Sequence, residues 1–107
     1  MEISNGCIVA ATAGRDSGQL FLAVSVEKGY AAIIDGKGRR VEKPKRKNIK
    51  HMRLVCTFDE VLLKNSRFGE RFKTLQVTNS DVRRLISEIK SNESERSGND
   101  GRLNESV

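Results

Sequence analysis

Hydrophobic and polar positions split the chain into a strand-patterned half and a helix-patterned half. Gly6-Cys7-Ile8-Val9-Ala10-Ala11 is a short apolar run that stops at Thr12-Ala13-Gly14-Arg15-Asp16-Ser17-Gly18, a segment dense in turn formers. Gln19 to Val26 resumes the apolar pattern, with Leu22, Val24 and Val26 alternating against Ala23 and Ser25 at the period of a strand. Glu27-Lys28-Gly29 reads as a hairpin turn and Tyr30 to Ile34 as a third strand. Asp35-Gly36 is a strong turn dipeptide, extended by Lys37-Gly38. Arg39 to Glu42 is predicted as a short fourth strand with Val41 facing inward. Pro44 has no amide to donate, so the chain leaves the ladder or runs along an edge there. Lys45 to His51 reads as a basic loop anchored by Ile49, and Met52 to Thr57 as a closing strand. Five short strands linked by tight turns in 57 residues predict a small antiparallel barrel, whose closure would leave no exposed edge.

The second half has a different period. Val61, Leu62, Leu63, Phe68, Phe72 and Leu75 suit a short helix and a loop, interrupted near Gly69. Val82, Leu85, Ile86 and Ile89 fall at i, i+3, i+4 and i+7, the stripe of an amphipathic helix. Thr78 to Ser80 offer N-caps, and Thr78-x-x-Asp81 resembles a capping box. The stripe is expected to pack on the barrel, with a partner protein as the other possible cover. Residues 92–107 are Ser, Asn, Glu, Gly and Arg with almost no apolar residue, and are expected to be a disordered tail. The expected organisation is therefore a barrel over 1–57, a mixed segment and helix over 58–91, and the tail.

Composition narrows the core. A chain of 107 residues with 36% apolar content, no Trp, one Tyr and four Phe must fill a small core mainly with aliphatic side chains. Phe21 and Tyr30 are assigned to it. Cys7 and Cys56 lack the clustered spacing of a zinc site. A disulfide would need them on neighbouring strands; the bland expectation is two buried thiols in a reducing compartment. No charged-then-apolar leader and no run of about 20 apolar residues is present, so the expected location is the cytoplasm.

Charge changes the picture most. Residues 1–57 hold 11 Lys/Arg against 5 Asp/Glu, whereas residues 58–107 hold 9 of each. Within Lys37–Arg53 the basic residues are Lys37, Arg39, Arg40, Lys43, Lys45, Arg46, Lys47, Lys50 and Arg53, with Glu42 the one acid. Such mutually repelling cations favour a polyanion, and nucleic acid rewards each phosphate contact by releasing counterions. Arg15, at the tip of the 12–18 loop, can fork two donors to a phosphate. Gly14 and Gly18 would let that loop turn through positive φ and, with Asp16, complete the candidate loop. Few aromatics argues for a folded RNA read by shape and backbone rather than by stacking. His51 is the sole histidine, no carboxylate pair stands ready for acid–base work, and no phosphate-cradling glycine motif opens a helix. These patterns predict no catalysis, no metal, no cofactor, no small-molecule substrate and no membrane partner.

Cys7-Ile8-Val9-Ala10, the loop Ala13 to Gly18 and the strand Gln19 to Val24 together resemble a KOW motif, the strand–loop–strand module of ribosomal and transcription-elongation proteins. In that family the loop commonly reads G-x-D-K-G. Here Ser17 stands where lysine is usual, so one phosphate contact of the family is missing. Tyr30 to Gly36, Arg39 to Lys45 and Lys50 to Leu54 are similar to small bacterial KOW-domain RNA-binding proteins. Those are related to the archaeal and eukaryotic large-subunit ribosomal protein of the L-fourteen-e type. The resemblance covers about residues 6–57, with only a loose match beyond. It implies an SH3-like barrel, RNA as the partner and no catalysis; the expected RNA is ribosomal, with ribosomal proteins as a further expected partner. The other reading is an SH3-like module that contacts ribosomal or transcription proteins without touching RNA. Double-stranded DNA is disfavoured, because the helix offers only Arg83 and Arg84, opposed by Glu88.

Overall fold

Every residue of the first strand, β1 (Ile8–Ala11), is buried, which requires cover on both of its faces. The computed structural model describes residues 3–91 and shows where that cover comes from. The strands β1, β2 (Leu20–Glu27), β3 (Tyr30–Ile34), β4 (Lys45–Asn48) and β5 (Met52–Cys56) form one antiparallel sheet in the order β4-β3-β2-β1-β5. The helices α1 (Phe58–Lys64), α2 (Ser66–Lys73) and α3 (residues 79–91) follow. The expected disordered tail, residues 92–107, lies outside the described residues.

The edge strands β4 and β5 are consecutive in the chain, joined by the 3-10 turn Ile49–His51. Four strand spacings laid flat would separate the edges by about 19 Å. Asn48 to Met52 can span at most about 14 Å even when extended. The sheet must therefore coil until its edges approach at that end. Register irregularities between Ile8 and Val9 and between Ala23 and Ser25 add local twist. Two backbone bonds hold the turn in place, from Thr12 N to His51 O at 2.8 Å and from Ile49 N to Gly29 O at 2.9 Å.

Coiling divides the apolar residues between two clusters. Cys7, Val9, Ala11, Phe21, Ala23, Ala31, Ile33 and Met52 meet inside the curl, closed by Ile3, Val26, Ile49 and Leu54. Ile8, Ala10, Leu20, Leu22, Ile34 and Cys56 point to the other face. There they meet Val61 of α1, Phe68 of α2 and the whole Val82, Leu85, Ile86, Ile89 stripe of α3. The stripe packs on its own sheet, as its spacing predicts. Ile49 anchors its turn and Phe21 is core, both as expected.

Three expectations are corrected. No ladder joins β4 to β5 among the described residues, so the sheet is coiled but not closed into a barrel. The fourth strand is not Arg39–Glu42 but Lys45–Asn48, the stretch read as a loop. Its register runs from Tyr30↔Asn48 to Ile33↔Lys45. An edge strand needs only the backbone ladder of its neighbour, so four polar residues suffice, and lysines along an open edge discourage pairing with another chain. Tyr30 is 39% exposed and does not belong to the core.

The segment read as mixed resolves into α1 and α2. Thr57 caps α1 in a reciprocal box, with Glu60 N donating to Thr57 Oγ1 at 3.1 Å and Thr57 N to Glu60 Oε1 at 2.8 Å. Asn65 caps α2 by accepting from Phe68 N at 3.1 Å. Gly69 does not break α2; a Cβ there would overlap Leu62, so the missing side chain is what lets the two helices pack closely. Thr78 and Asp81 form the expected box at the start of α3, 3.0 and 3.1 Å long, and Arg71 forks onto both Asp81 oxygens at 3.0 and 2.9 Å. Burial works to raise the Asp81 carboxyl, but Thr78 and Arg71 outweigh it and hold the group below its ordinary value.

Cys7 and Cys56 are both buried, with no disulfide between them. They belong to clusters on opposite faces of the sheet. Burial pushes the Cys7 thiol up from its ordinary value. No helix among the described residues is long and apolar enough to cross a membrane.

Helix α2 ends in a six-to-one, five-to-two bonded turn, from Gln76 N to Arg71 O at 2.8 Å and Leu75 N to Phe72 O at 3.2 Å. That turn places Leu75 at φ 60° with 91% of its surface exposed. The left-handed conformation costs a side-chain-bearing residue about 1–2 kcal/mol, and little burial offsets it. Replacing Leu75 by Gly should therefore stabilise the protein. After the extra freedom of glycine in the unfolded chain is deducted, the net gain is about 0.5–1 kcal/mol, read as a higher urea midpoint at unchanged slope.

Candidate nucleic-acid interface

The basic stretch does not form one continuous strand face. It is distributed by four local structures: a locked loop, an edge strand, the turn after it and the start of β5.

The locked loop spans residues 35–44. Asp35 Oδ1 accepts from Lys37 N and Arg39 N, both at 2.8 Å, while Asp35 N and Gly36 N donate to Arg39 O at 2.8 and 3.0 Å. These bonds use the amides and carbonyl that a strand would need, which is why Arg39–Glu42 is not one. Helix α3 then clamps the loop. Asn79 Oδ1 accepts from Val41 N at 2.7 Å, Asn79 Nδ2 donates to Glu42 Oε1 at 2.7 Å, and Arg83 Nη1 donates to Gly36 O at 2.7 Å. Gly36 is buried at φ 80°, and a Cβ there would lie 2.5 Å from the Asn79 carbonyl. Only glycine permits this approach.

The clamp presents cations in a fixed pattern. Arg39, Arg40, Lys43 and Lys45, with Gly38 and Pro44, line an open depression of about 460 Å³ that has no acidic residue in its wall. Glu42, beside it, is held by Asn79 and by Arg40 Nε at 3.3 Å. Donation from Asn79 is the largest influence on the Glu42 carboxyl, with Arg40 adding to it, and holds it below its ordinary value.

Alternation along β4 sends its basic side chains to opposite faces. Lys45 and Lys47 stand opposite Ile33 and Ala31, on the inner face, and reach the loop between β1 and β2. Lys45 Nζ lies 3.6 Å from Asp16 Oδ2, and Lys47 Nζ donates to Ala13 O at 3.5 Å. Gly14 and Gly18 of that loop have φ of 82° and 89°, as predicted. Asp16 is thus a partner of Lys45, and Arg15 is exposed. Lys45 belongs to both groups, linking the 12–18 loop to the depression. Arg46 points to the other face, its guanidinium 4.4 Å from the centroid of the Tyr30 ring.

The remaining candidates lie apart. Lys37 lines a second depression with Asp35, Arg83, Ser87 and Lys90, on the α3 side. Lys50 and Arg53 are exposed on the turn and on β5, the opposite edge of the sheet. Ten candidate cations therefore reduce to one compact group, Arg39, Arg40, Lys43 and Lys45, with Arg15 and Lys47 near its β1–β2 side. Asn79, Arg83 and Tyr30 were not legible as site residues. The first two act across 38 and 47 residues of sequence, and no local pattern encodes that.

The clamp gives a pH prediction. Because its folded value is depressed, Glu42 contributes stability that is complete at neutral pH and is lost as pH falls through its folded value. Asn79→Ala should move the Glu42 titration midpoint up toward that of an ordinary glutamate, read by carboxyl NMR titration. An unmoved midpoint would mean the Asn79 bond is not made in solution. A scan against protein-family models finds no family that matches this chain, and a search of curated proteins likewise finds no match.

Proposed function

We propose that this protein binds RNA through phosphate contacts, with an SH3-like, KOW-type sheet as the scaffold, and that its partner is a folded RNA of ribosomal type in the cytoplasm. The observation that carries the reading is the depression walled by Arg39, Arg40, Lys43 and Lys45 and free of acid. Three cations of the clamped loop and Lys45 of β4 stand together with only Arg40 and Lys45 partly offset, by Glu42 and Asp16, and a polyanion relieves the remaining repulsion while releasing counterions. The strand order supports the scaffold. A coiled five-stranded sheet whose edge strands are joined by a 3-10 turn is the arrangement expected of an SH3-like chain, although here the ladder is open and three helices cover the outer face. The chemistry required is binding alone: the cations position phosphates, and no bond is made or broken.

The α3 stripe is consumed by the sheet, so it does not support the protein-interaction reading. RNA contact through the depression, the 12–18 loop and the outlying cations would involve about six to eight phosphates. The log–log dependence of affinity on salt should then have a slope on the order of −4 to −7. Replacing Arg39, Arg40 and Lys43 together by Gln should flatten that slope by about 2–3 while leaving the circular dichroism spectrum unchanged. Filter binding across a salt series decides the matter: a slope near zero in the parent protein overturns the proposal, and an unchanged slope in the triple variant removes the depression from the interface.

A further inference from the structure

Tyr30 and Arg46 form an exposed stack that phosphate docking leaves unused. Tyr30 opens β3 directly after the Lys28-Gly29 turn and stands opposite Asn48 in the β3–β4 ladder. Arg46, two residues before Asn48, shares its face and lies diagonally over the ring at 4.4 Å. Burial falls along this face of β3, from Ile34 under the helices, through half-buried Ala32, to Tyr30 at 39% exposed. The helices end their cover before the pair, so the stack sits on open sheet at the β4 edge.

We infer that this pair is a docking platform for one bulged nucleobase, so that the RNA recognised carries a bulge within its phosphate-contacting helix. The inference rests on the RNA-binding reading above. A guanidinium already held over an aromatic ring, 4.4 Å from its centroid, can stack a base on its free side, and its conformational entropy is partly lost before the base arrives. The local charge suits a base better than a phosphate. Glu27 stands directly across the β2–β3 ladder from Tyr30, on the same face, and its charge opposes that of Arg46. The acid-free depression and the stack with Glu27 on its face therefore have different jobs: one takes backbone, the other takes a ring. Arg46 and Lys45 are adjacent on β4 and point to opposite faces, so one edge strand carries a side chain for each.

The chain has one Tyr and no Trp, so tyrosine emission reports on position 30 alone. The test compares an RNA hairpin with a single bulged adenosine against a fully paired hairpin of equal charge, each titrated into the parent protein, Tyr30→Phe, Tyr30→Ala and Arg46→Lys. The bulged hairpin should quench the Tyr30 emission beyond the paired control and bind more tightly. Tyr30→Phe should keep the preference for the bulge. Tyr30→Ala should lose it, weakening bulged-hairpin binding by roughly five- to a hundred-fold with paired-hairpin affinity unchanged. Arg46→Lys keeps the charge but not the planar stack, and should also lose the preference. Equal affinity for both hairpins with no extra quench overturns the platform while leaving phosphate docking intact. Binding to neither hairpin at low salt overturns both readings.

Discussion

A link of three residues between the two edges of an open sheet sets most of what this molecule can do. A flat five-stranded sheet cannot be joined edge to edge by Ile49–His51, so the sheet coils. Coiling encloses Phe21, Ile33 and their neighbours without any covering helix, and it brings β4 against the loop that follows β1. Lys45 and Lys47 therefore act across the curl as well as along the strand. They tie down the 12–18 loop and concentrate positive charge beside Arg15.

The opposite face of the same sheet is apolar as well, and the helices exist to cover it. Helix α3 does so with its four-residue stripe, while its first turn performs a separate task on its polar side. Asn79 and Arg83 grip the 35–44 loop through its backbone, at Val41 and Gly36. The basic loop is thus mounted on a core helix. Pre-organisation of this kind lowers the entropy lost when charged side chains meet a partner, and it explains how a cluster of repelling cations can be ordered in the free protein. The clamp contributes a neutral amide, Asn79, and a further cation, Arg83, so it does not neutralise the cations that it positions. Only Arg40 is partly spent, on Glu42, and Lys45, on Asp16.

The division between the two faces of β4 follows from the simplest rule of strand geometry. Reading Lys45 to Lys47 as a loop would allow all three side chains to reach one ligand. As a strand they cannot, and Arg46 is turned toward Tyr30. What looked like one polycationic surface becomes an acid-free cationic depression on one side and an aromatic–guanidinium pair on the other.

Local signals were enough for the parts that local chemistry decides. The period-two run in β2, the Asp35-Gly36 turn, the i, i+3, i+4, i+7 stripe of α3, the Thr78–Asp81 box and the two positive-φ glycines of the 12–18 loop all depend on neighbours a few residues away. The charge excess between Lys37 and Arg53 is a property of composition and needed no fold. The fourth strand was not legible, because an edge strand of Lys, Arg, Lys and Asn has no apolar alternation and exists only where β3 offers a ladder. The sequence misassigns Tyr30 to the core, since whether an aromatic at the start of a strand is covered depends on where the helices stop. The acid-free depression depends on Asn79 and Arg83 reaching back across about 40 residues, and such contacts form only when burial of the α3 stripe has already brought the helix to the sheet. The chain by itself determined which elements form and how much charge they carry; the packing of one helix and the coil of one sheet decided which of those charges meet.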